Sequence, residues 1–373
     1  MSVTIRDVAR EAGVSIQTVS NVLNSRHGVA PDTRGRVRDA IQRLGYRPSD
    51  AARSLRSGQS RTVGLLIGDV SNPYYAELCR GAEDAARSRG YSIIFGSTEG
   101  QLDRISQLAR VFQERRVAGI VSSAGIAEPK SEQFFQQLST QTPLVQLGRP
   151  LPSSNLPQVI VDDLRGGYVA ASHIISLGRR RVALITGPLR TRPGQLRLEG
   201  YRSALRDWDL PELADLVVEG DFTYNSGFEA ATRLLALSPA IDGIVAGNDL
   251  TAIGAIACLT RAGRRIPDDV AVIGYDDAEI GRLYVPPIST IAQPKYQLGF
   301  RGVSLLVDRV ESIARDPEGR APESVVEQLD CELVARCSST GRDEEIRCGS
   351  IQLSRCWEAC LPRDSAANPK PQP

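Results

Sequence analysis

Histidine is nearly absent from this chain, with two in 373 residues, and that shortage narrows the chemistry open to it. His27 and His173 stand far apart, and no phosphate loop, Gly-x-Gly-x-x-Gly turn after a strand, Gly-x-Ser-x-Gly elbow or His-Glu-x-x-His helix can be read in the sequence. The twenty or so uninterrupted apolar residues of a membrane span are missing, and Met1-Ser2-Val3-Thr4-Ile5-Arg6 holds no apolar run to serve as a signal peptide. Seven cysteines, an odd number scattered at 79, 258, 331, 337, 348, 356 and 360, do not make a secreted disulfide framework. Cys356 and Cys360 have no histidine nearby, so reduced thiols are expected rather than zinc ligands. These absences point to a cytoplasmic protein with no catalytic residue, cofactor or metal.

What the chain has is an uneven distribution of charge. The total is +1, yet through residue 60 ten arginines face five acids, which places the positive charge at one end, where a polyanion would bind. Within that end, residues 4–23 read as two short helices around a glycine. Thr4 and Asp7 make a capping box, Ile5, Val8 and Ala12 share one stripe, and Gly13 supplies the turn. Ser15 caps a second helix whose inward face is Val19, Val22 and Leu23. Ile16, Gln17, Thr18, Ser20 and Asn21 are left outside the small core. Short polar side chains there suit a recognition helix, because Gln and Asn bond base edges bidentately while hydroxyls bond phosphates. Pro31 then opens a third helix with Val37, Ala40, Ile41 and Leu44 inward, ending at Gly45. An isolated helical hairpin on any domain would share part of this pattern; a three-helix unit carrying this charge argues for a DNA reader. The segment 46–58 is too short and polar to fold alone and reads as a conditional linker.

These residues resemble the headpiece and hinge of the LacI/GalR family of bacterial transcription factors. The likeness runs through Thr4-Ile5-Arg6-Asp7-Val8-Ala9, Gly13-Val14-Ser15, Thr18-Val19-Ser20, Val22-Leu23-Asn24, Thr33-Arg34, Leu44-Gly45-Tyr46 and Ala52-Arg53-Ser54-Leu55. It implies that Ile16, Gln17 and Asn21 face major-groove bases and that Ser15, Thr18, Ser20, Asn24 and Thr33 hold phosphates. Leu55, from paired hinge helices of a dimer, would wedge into a minor-groove base step. Thr4, Arg53 and Arg56 complete the candidate DNA contacts.

From Arg61 the pattern changes to apolar runs alternating with helical periods, the mark of α/β architecture with parallel sheets covered by helices. Val63–Ile67, Ser92–Phe95, Ile120–Ser122 and Leu144–Leu147 form one strand series; Val182–Thr186, Leu216–Glu219, Gly243–Ala246 and Val270–Gly274 form a second in the same order. Two doubly wound lobes are expected, with Val159–Asp162 and Thr290–Gln293 crossing between them. The expected organisation is a helix-turn-helix headpiece over 1–47, a hinge over 48–60 and a two-lobed core over 61–340. Lobe one would take 61–161 plus 294–320, and lobe two 162–290 plus 321–340. A disordered tail would fill 341–373, with a short amphipathic piece possible over Ile351 to Leu361.

Ligands of doubly wound folds sit at the carboxyl ends of strands. The residues just after the strands here are Asp69, Asn72, Tyr74 and Tyr75, then Gly148-Arg149, Asn248-Asp249, Asp276-Asp277 and Gln293, joined by Arg197 and Phe222. Planar bidentate groups suit vicinal hydroxyls, and aromatic faces suit the C–H side of a polyol. A helix cap or solvated loop would account for any one of them; their shared position argues for a binding cleft. The core also resembles the family's effector domain, itself similar to periplasmic sugar-binding proteins, to about Thr340. That likeness implies sugar contacts by Asn72, Tyr75, Arg149, Arg197, Phe222, Asn248, Asp276 and Gln293. Gly148 stands where many sugar binders carry an aspartate, which admits a larger, modified or phosphorylated ligand, with Arg149, Arg190 and Arg192 as anion partners. A nucleobase is the alternative effector, although Thr191 and Pro193 depart from the purine-responsive pattern. From other classes, a sugar-processing enzyme bearing a DNA-binding module remains open, while an architectural DNA protein would not need a duplicated core. The expected partners are an inverted-repeat operator in duplex DNA, a carbohydrate effector and a second copy of the chain, with no membrane.

Overall fold

The computed structural model describes residues 3–23, 28–46, 60–124, 129–148, 155–237, 240–316, 325–342 and 345–348. Asn24, Arg53, Leu55, Arg56 and Arg149, the hinge over 48–59 and the amphipathic piece at Ile351 to Leu361 lie outside them. The chain divides into two compact units, Met1–Arg61 and Thr62–Pro373.

In the first unit, α1 spans Ile5–Ala12, α2 Ile16–Leu23 and α3 Pro31–Leu44. The amide and hydroxyl of Thr4 both donate to the Asp7 carboxylate, at 2.9 and 2.7 Å, and those bonds hold the Asp7 carboxyl below its ordinary range. Gly13 and Gly45 close α1 and α3 in the left-handed conformation. Val8, Ala9 and Ala12 meet Val19, Val22, Val37, Ala40 and Tyr46 in one small core. Since isolated helices of 8 to 14 residues are marginal in water, this shared core is what holds the unit together.

The second unit carries two parallel sheets. Strands β1 (Thr62–Ile67), β2 (Ser92–Ser97), β3 (Gly119–Ser122), β4 (Leu144–Leu147) and β5 (Gln158–Val161) are joined by a late strand, β11 (Val326–Leu329), in the order β11-β5-β4-β3-β1-β2. Strands β6 (Val182–Thr186), β7 (Val217–Glu219), β8 (Gly243–Ala246) and β9 (Ala271–Ile273) follow the order β7-β6-β8-β9. Thus β2-β1-β3-β4 and β7-β6-β8-β9 repeat one topology, matching the duplicated sequence pattern. Strand neighbours such as Leu65 and Leu66, or Ala183 and Leu184, point to opposite faces and are all buried, as a helix-covered parallel sheet demands.

Three features differ from expectation. First, β11 pairs with β5 in the first sheet, so part of 321–340 belongs with lobe one; its sequence, Val-Glu-Gln-Leu, is a half-exposed edge with no apolar run to mark it. Second, β10 (Thr290–Ala292), β12 (Glu332–Ala335) and β13 (Ile346–Cys348) form a separate antiparallel sheet, so the span 341–373 contains ordered strand. Third, Cys348 is disulfide-bonded, while Cys79, Cys258, Cys331 and Cys337 are thiols; Cys356 and Cys360, the pair expected as reduced thiols, lie outside the described residues. Among the described residues no helix is long and apolar enough to cross a membrane. His173 is buried, bonds Ser339 Oγ at 2.8 Å, and burial drives its pKa down to about 4.

Candidate functional site

Two surfaces carry chemistry, one in each unit. On α2, Ser15 accepts the Thr18 amide at 3.1 Å and contacts its hydroxyl at 2.9 Å, capping the helix. One turn on, Gln17 Nε2 donates to Asn21 Oδ1 at 3.1 Å. That i,i+4 bond orders two amides side by side on the exposed face. Ile16 is 43% exposed beside them, an apolar contact available to a thymine methyl. Thr4 is spent on Asp7, and Thr33 sits half-buried in the first turn of α3.

In the second unit, a cavity of about 360 Å³ opens between the lobes at the carboxyl ends of the strands. It gathers Asp69, Asn72, Tyr74, Tyr75, Arg197, Phe222, Asp276 and Gln293 of the expected residues. Asn248 is not in its lining. Its Oδ1 caps the helix Asp249–Arg261 by accepting from the amide and hydroxyl of Thr251, while Nδ2 donates to the Phe222 carbonyl at 3.0 Å. An asparagine after a strand serves equally as a helix cap, and here the cap also fixes Phe222. The cavity adds Asp163, Asp221 and Ser123, which sequence reasoning passed over. Asp163 and Asp221 each follow a strand closely, so the rule applied elsewhere would have found them. Of the suggested anion partners, Arg190 lines the cavity and Arg192 does not.

Each lobe sets an aromatic ring against a glycine after its first strand. A Cβ on Gly68 would lie 2.3 Å from the Tyr75 hydroxyl, and one on Gly187 would lie 1.9 Å from the Phe222 ring. A side chain at either position would have to displace the ring. Phe222 itself has φ +68, a costly backbone for a bulky residue that its surroundings must enforce.

Charge is concentrated on the lobe-two side. Arg197 Nε donates to Asp163 at 2.8 Å and Nη1 to the Gly247 carbonyl at 2.6 Å, with Asp276 3.9 Å from Nη2 and the Tyr275 ring 3.5 Å beneath the guanidinium. Burial works against that charge, but Asp163, Tyr275 and Asp276 outweigh it and Arg197 stays protonated. Burial raises the Asp163 carboxyl too, opposed by Arg197. Asp276 is pushed up to about 6 by burial, with Arg197, Lys295 and Gln293 pulling the other way. Behind the cavity, burial and the Asp276 charge carry Asp249 to about 8.

Asp276 and Asp277 are both left-handed, at φ +103 and +52. Such backbone costs on the order of 1–3 kcal/mol per residue and needs external support. Support comes from Gln293, which donates to Asp276 Oδ1 at 2.6 Å, and from Lys295, which donates to the carbonyls of both aspartates. Arg336 and Arg347 bracket the Asp277 carboxylate at 2.6 and 3.2 Å. Despite burial, those cations keep Asp277 below its ordinary range.

Among the described residues no cluster of three or more His, Cys, Asp or Glu is placed to hold a metal. The cavity therefore offers hydrogen bonds, aromatic faces and carboxylates, the means of binding a polar small molecule.

Comparison with known proteins agrees with this arrangement. The family described as bacterial regulatory proteins, lacI family, matches residues 4–49, and a periplasmic binding protein-like domain matches residues 171–339. The ribose operon repressor of Escherichia coli (strain K12) is 38% identical over 308 residues, covering 82% of this chain and 93% of its own. The HTH-type transcriptional repressor PurR of Aliivibrio salmonicida (strain LFI1238) is 34% identical over 310 residues, covering 83% and 92%. Among solved structures, the lac repressor dimer bound to operator and the anti-inducer ONPF superposes with a TM-score of 0.81 at 27% identity, covering 91% of this chain and 99% of that one.

Proposed function

The chain belongs to the lacI family of bacterial regulatory proteins, as a DNA-binding transcriptional repressor rather than an enzyme, and from that premise we propose that its effector is an uncharged sugar of the ribose class. One observation carries the effector class. Among the described residues the cavity is lined by Asp69, Glu99, Asp163, Asp221 and Asp276 against Arg190 and Arg197, and Arg197 is already committed to Asp163 and Gly247. A phosphorylated ligand would meet more lining carboxylates than guanidiniums, whereas hydroxyls would find acceptors. The likeness to a ribose operon repressor points the same way.

The roles follow. Ser15, Ile16, Gln17, Thr18, Ser20, Asn21 and Thr33 meet the operator, with Asn24, Arg53, Leu55 and Arg56 in the segments outside the described residues. Residues 1–47 act as reader and 48–60 as hinge, in a homodimer on an inverted repeat, in the bacterial cytoplasm and on the nucleoid when bound. Sugar closing the lobes shifts hinge pairing and so operator affinity, by about 1–3 kcal/mol if the coupling is ordinary. A purine base is the second reading, favoured by the likeness to PurR and by Phe222 and Tyr75 as flat faces in the cavity.

The test is selection of bound sequences from random duplexes, followed by titration of the selected site with D-ribose and with a purine base. An inverted repeat whose affinity changes with ribose alone is the expected result. A response to the base alone reverses the effector class, and equal grip on random and selected DNA removes the regulator reading.

A further inference from the structure

Strand β13 lies beyond residue 339, where the match to the periplasmic binding protein-like domain stops, yet it reaches the turn that carries Asp276. It pairs antiparallel with β12, setting Arg347 opposite Val334 and Ile346 opposite Ala335. Cys348 at its end is buried in the lobe-two core with Tyr275, Ile291 and Leu333. The strand is therefore packed into the fold, and the side chains of its Arg347 and of Glu345 just before it are aimed.

Those side chains close a ring. Arg347 Nε donates to Glu345 at 2.7 Å and Nη2 to Asp277 at 3.2 Å; Arg336 Nε donates to the other Glu345 oxygen at 2.7 Å and Nη2 to the other Asp277 oxygen at 2.6 Å. Two carboxylates and two guanidiniums alternate, each carboxylate bonded by both cations. Arg336 also donates to the Ile288 carbonyl at 2.9 Å, which ties the ring to the segment leading into β10. The residue held by this ring is the second of two consecutive left-handed aspartates, and the first of them faces the cavity. Its amide and its neighbours' amides are themselves bonded: Asp276 to the Ile291 carbonyl, Asp277 to the Thr290 hydroxyl and Ala278 to the Asp249 carboxylate.

We propose that Glu345 and Arg347 are positioning residues, which clamp Asp277 and thereby hold the strained turn that presents Asp276 to the effector. Asp276 as an effector contact rests on the function proposed above; the clamp on the turn does not. Sequence beyond the family-matched span would then set effector affinity without touching the effector. A Lys at 347 keeps the charge but cannot bridge both carboxylates with a planar fork, so it should restore part of the clamp.

The experiment compares the full-length wild type with Arg347→Ala, Arg347→Lys and Glu345→Gln by amide hydrogen exchange, then by calorimetric titration with D-ribose. Exchange at residues 276–278 should quicken about tenfold in Arg347→Ala, with Arg347→Lys intermediate and the amides of β1 and β6 unchanged as a check on folding. Ribose affinity should fall about threefold to tenfold in Arg347→Ala, the size of an indirect coupling. Exchange at 276–278 within twofold of wild type in both Arg347→Ala and Glu345→Gln would overturn the clamp. Faster exchange with unchanged ribose affinity would overturn its link to the effector. If the wild type ignores ribose, the sugar reading fails, while the exchange arm still decides whether the strand holds the turn.

Discussion

The two lobes share a strand order but divide the work of the cleft unequally. In lobe one, Asp69 accepts from the Ser71 amide and hydroxyl and Asn72 accepts from the Tyr74 amide. These are local turns that leave the side chains near solvent. In lobe two, Arg197, Asp163 and Asp276 form a buried cluster whose charges are matched inside the protein. Desolvated charges tolerate loss of a partner poorly, whereas solvated turn residues tolerate it well. Duplication thus supplied the frame twice, and the cleft became an adaptable wall facing a prepaid one.

The largest effect expected from that asymmetry is at Arg197. Arg197→Ala would leave Asp163 buried beside no cation, a change that costs about 3–5 kcal/mol in comparable sites. Asp69→Ala should cost at most about 1 kcal/mol, since it removes exposed turn bonds. Denaturant melts of the two variants test this directly, and equal losses would mean the lobes are electrostatically alike.

A smaller effect is expected at the paired glycines. Gly187→Ala drives a methyl into a rigid ring 1.9 Å away whose backbone is already left-handed, whereas Gly68→Ala meets a hydroxyl at 2.3 Å, the far end of a side chain that can swing. Overpacking of the first kind costs about 1–3 kcal/mol. Gly187→Ala should therefore weaken ribose binding more than Gly68→Ala; the reverse order, by calorimetry, would place the sugar against Tyr75 rather than Phe222.

Legibility in the sequence follows the same division. Strands with long apolar runs, such as Val182–Thr186, could be read in place, and the residues just beyond such strands led to Asp69, Asn72, Tyr74, Tyr75, Asp276 and Gln293 in the cavity. Asn248 lies outside the lining and caps a helix, because capping and ligand binding ask for the same oxygen. β11 and β13 left no signal, being short and half-exposed with a charged residue inside each. The ring of Asp277, Arg336, Glu345 and Arg347 joins residues up to 70 positions apart, a distance over which no local pattern speaks.

The mildest expected effect is a pH dependence that separates the lobes by titration. Tyr75 in lobe one is pushed up to about 12 by burial, so it is silent near neutrality. Asp276 in lobe two, at about 6, is not. An ionised Asp276 accepts hydroxyl protons and a protonated one does so less well, so ribose affinity should fall as pH drops from 7 to 5. The limit is about tenfold per pH unit below 6. Stability of the unliganded protein should move the opposite way. A carboxyl with a raised folded pKa binds its proton more tightly folded than unfolded, so its contribution is full below the unfolded value near 4 and is lost as pH rises through about 6. Asp249, at about 8, extends that loss to higher pH without lining the cavity. Calorimetric titrations and thermal melts at pH 5, 6 and 7 should therefore show affinity and stability trending in opposite directions. Parallel trends would mean that Asp276 does not contact the sugar as a carboxylate, and the buried charge of lobe two would then serve the fold alone.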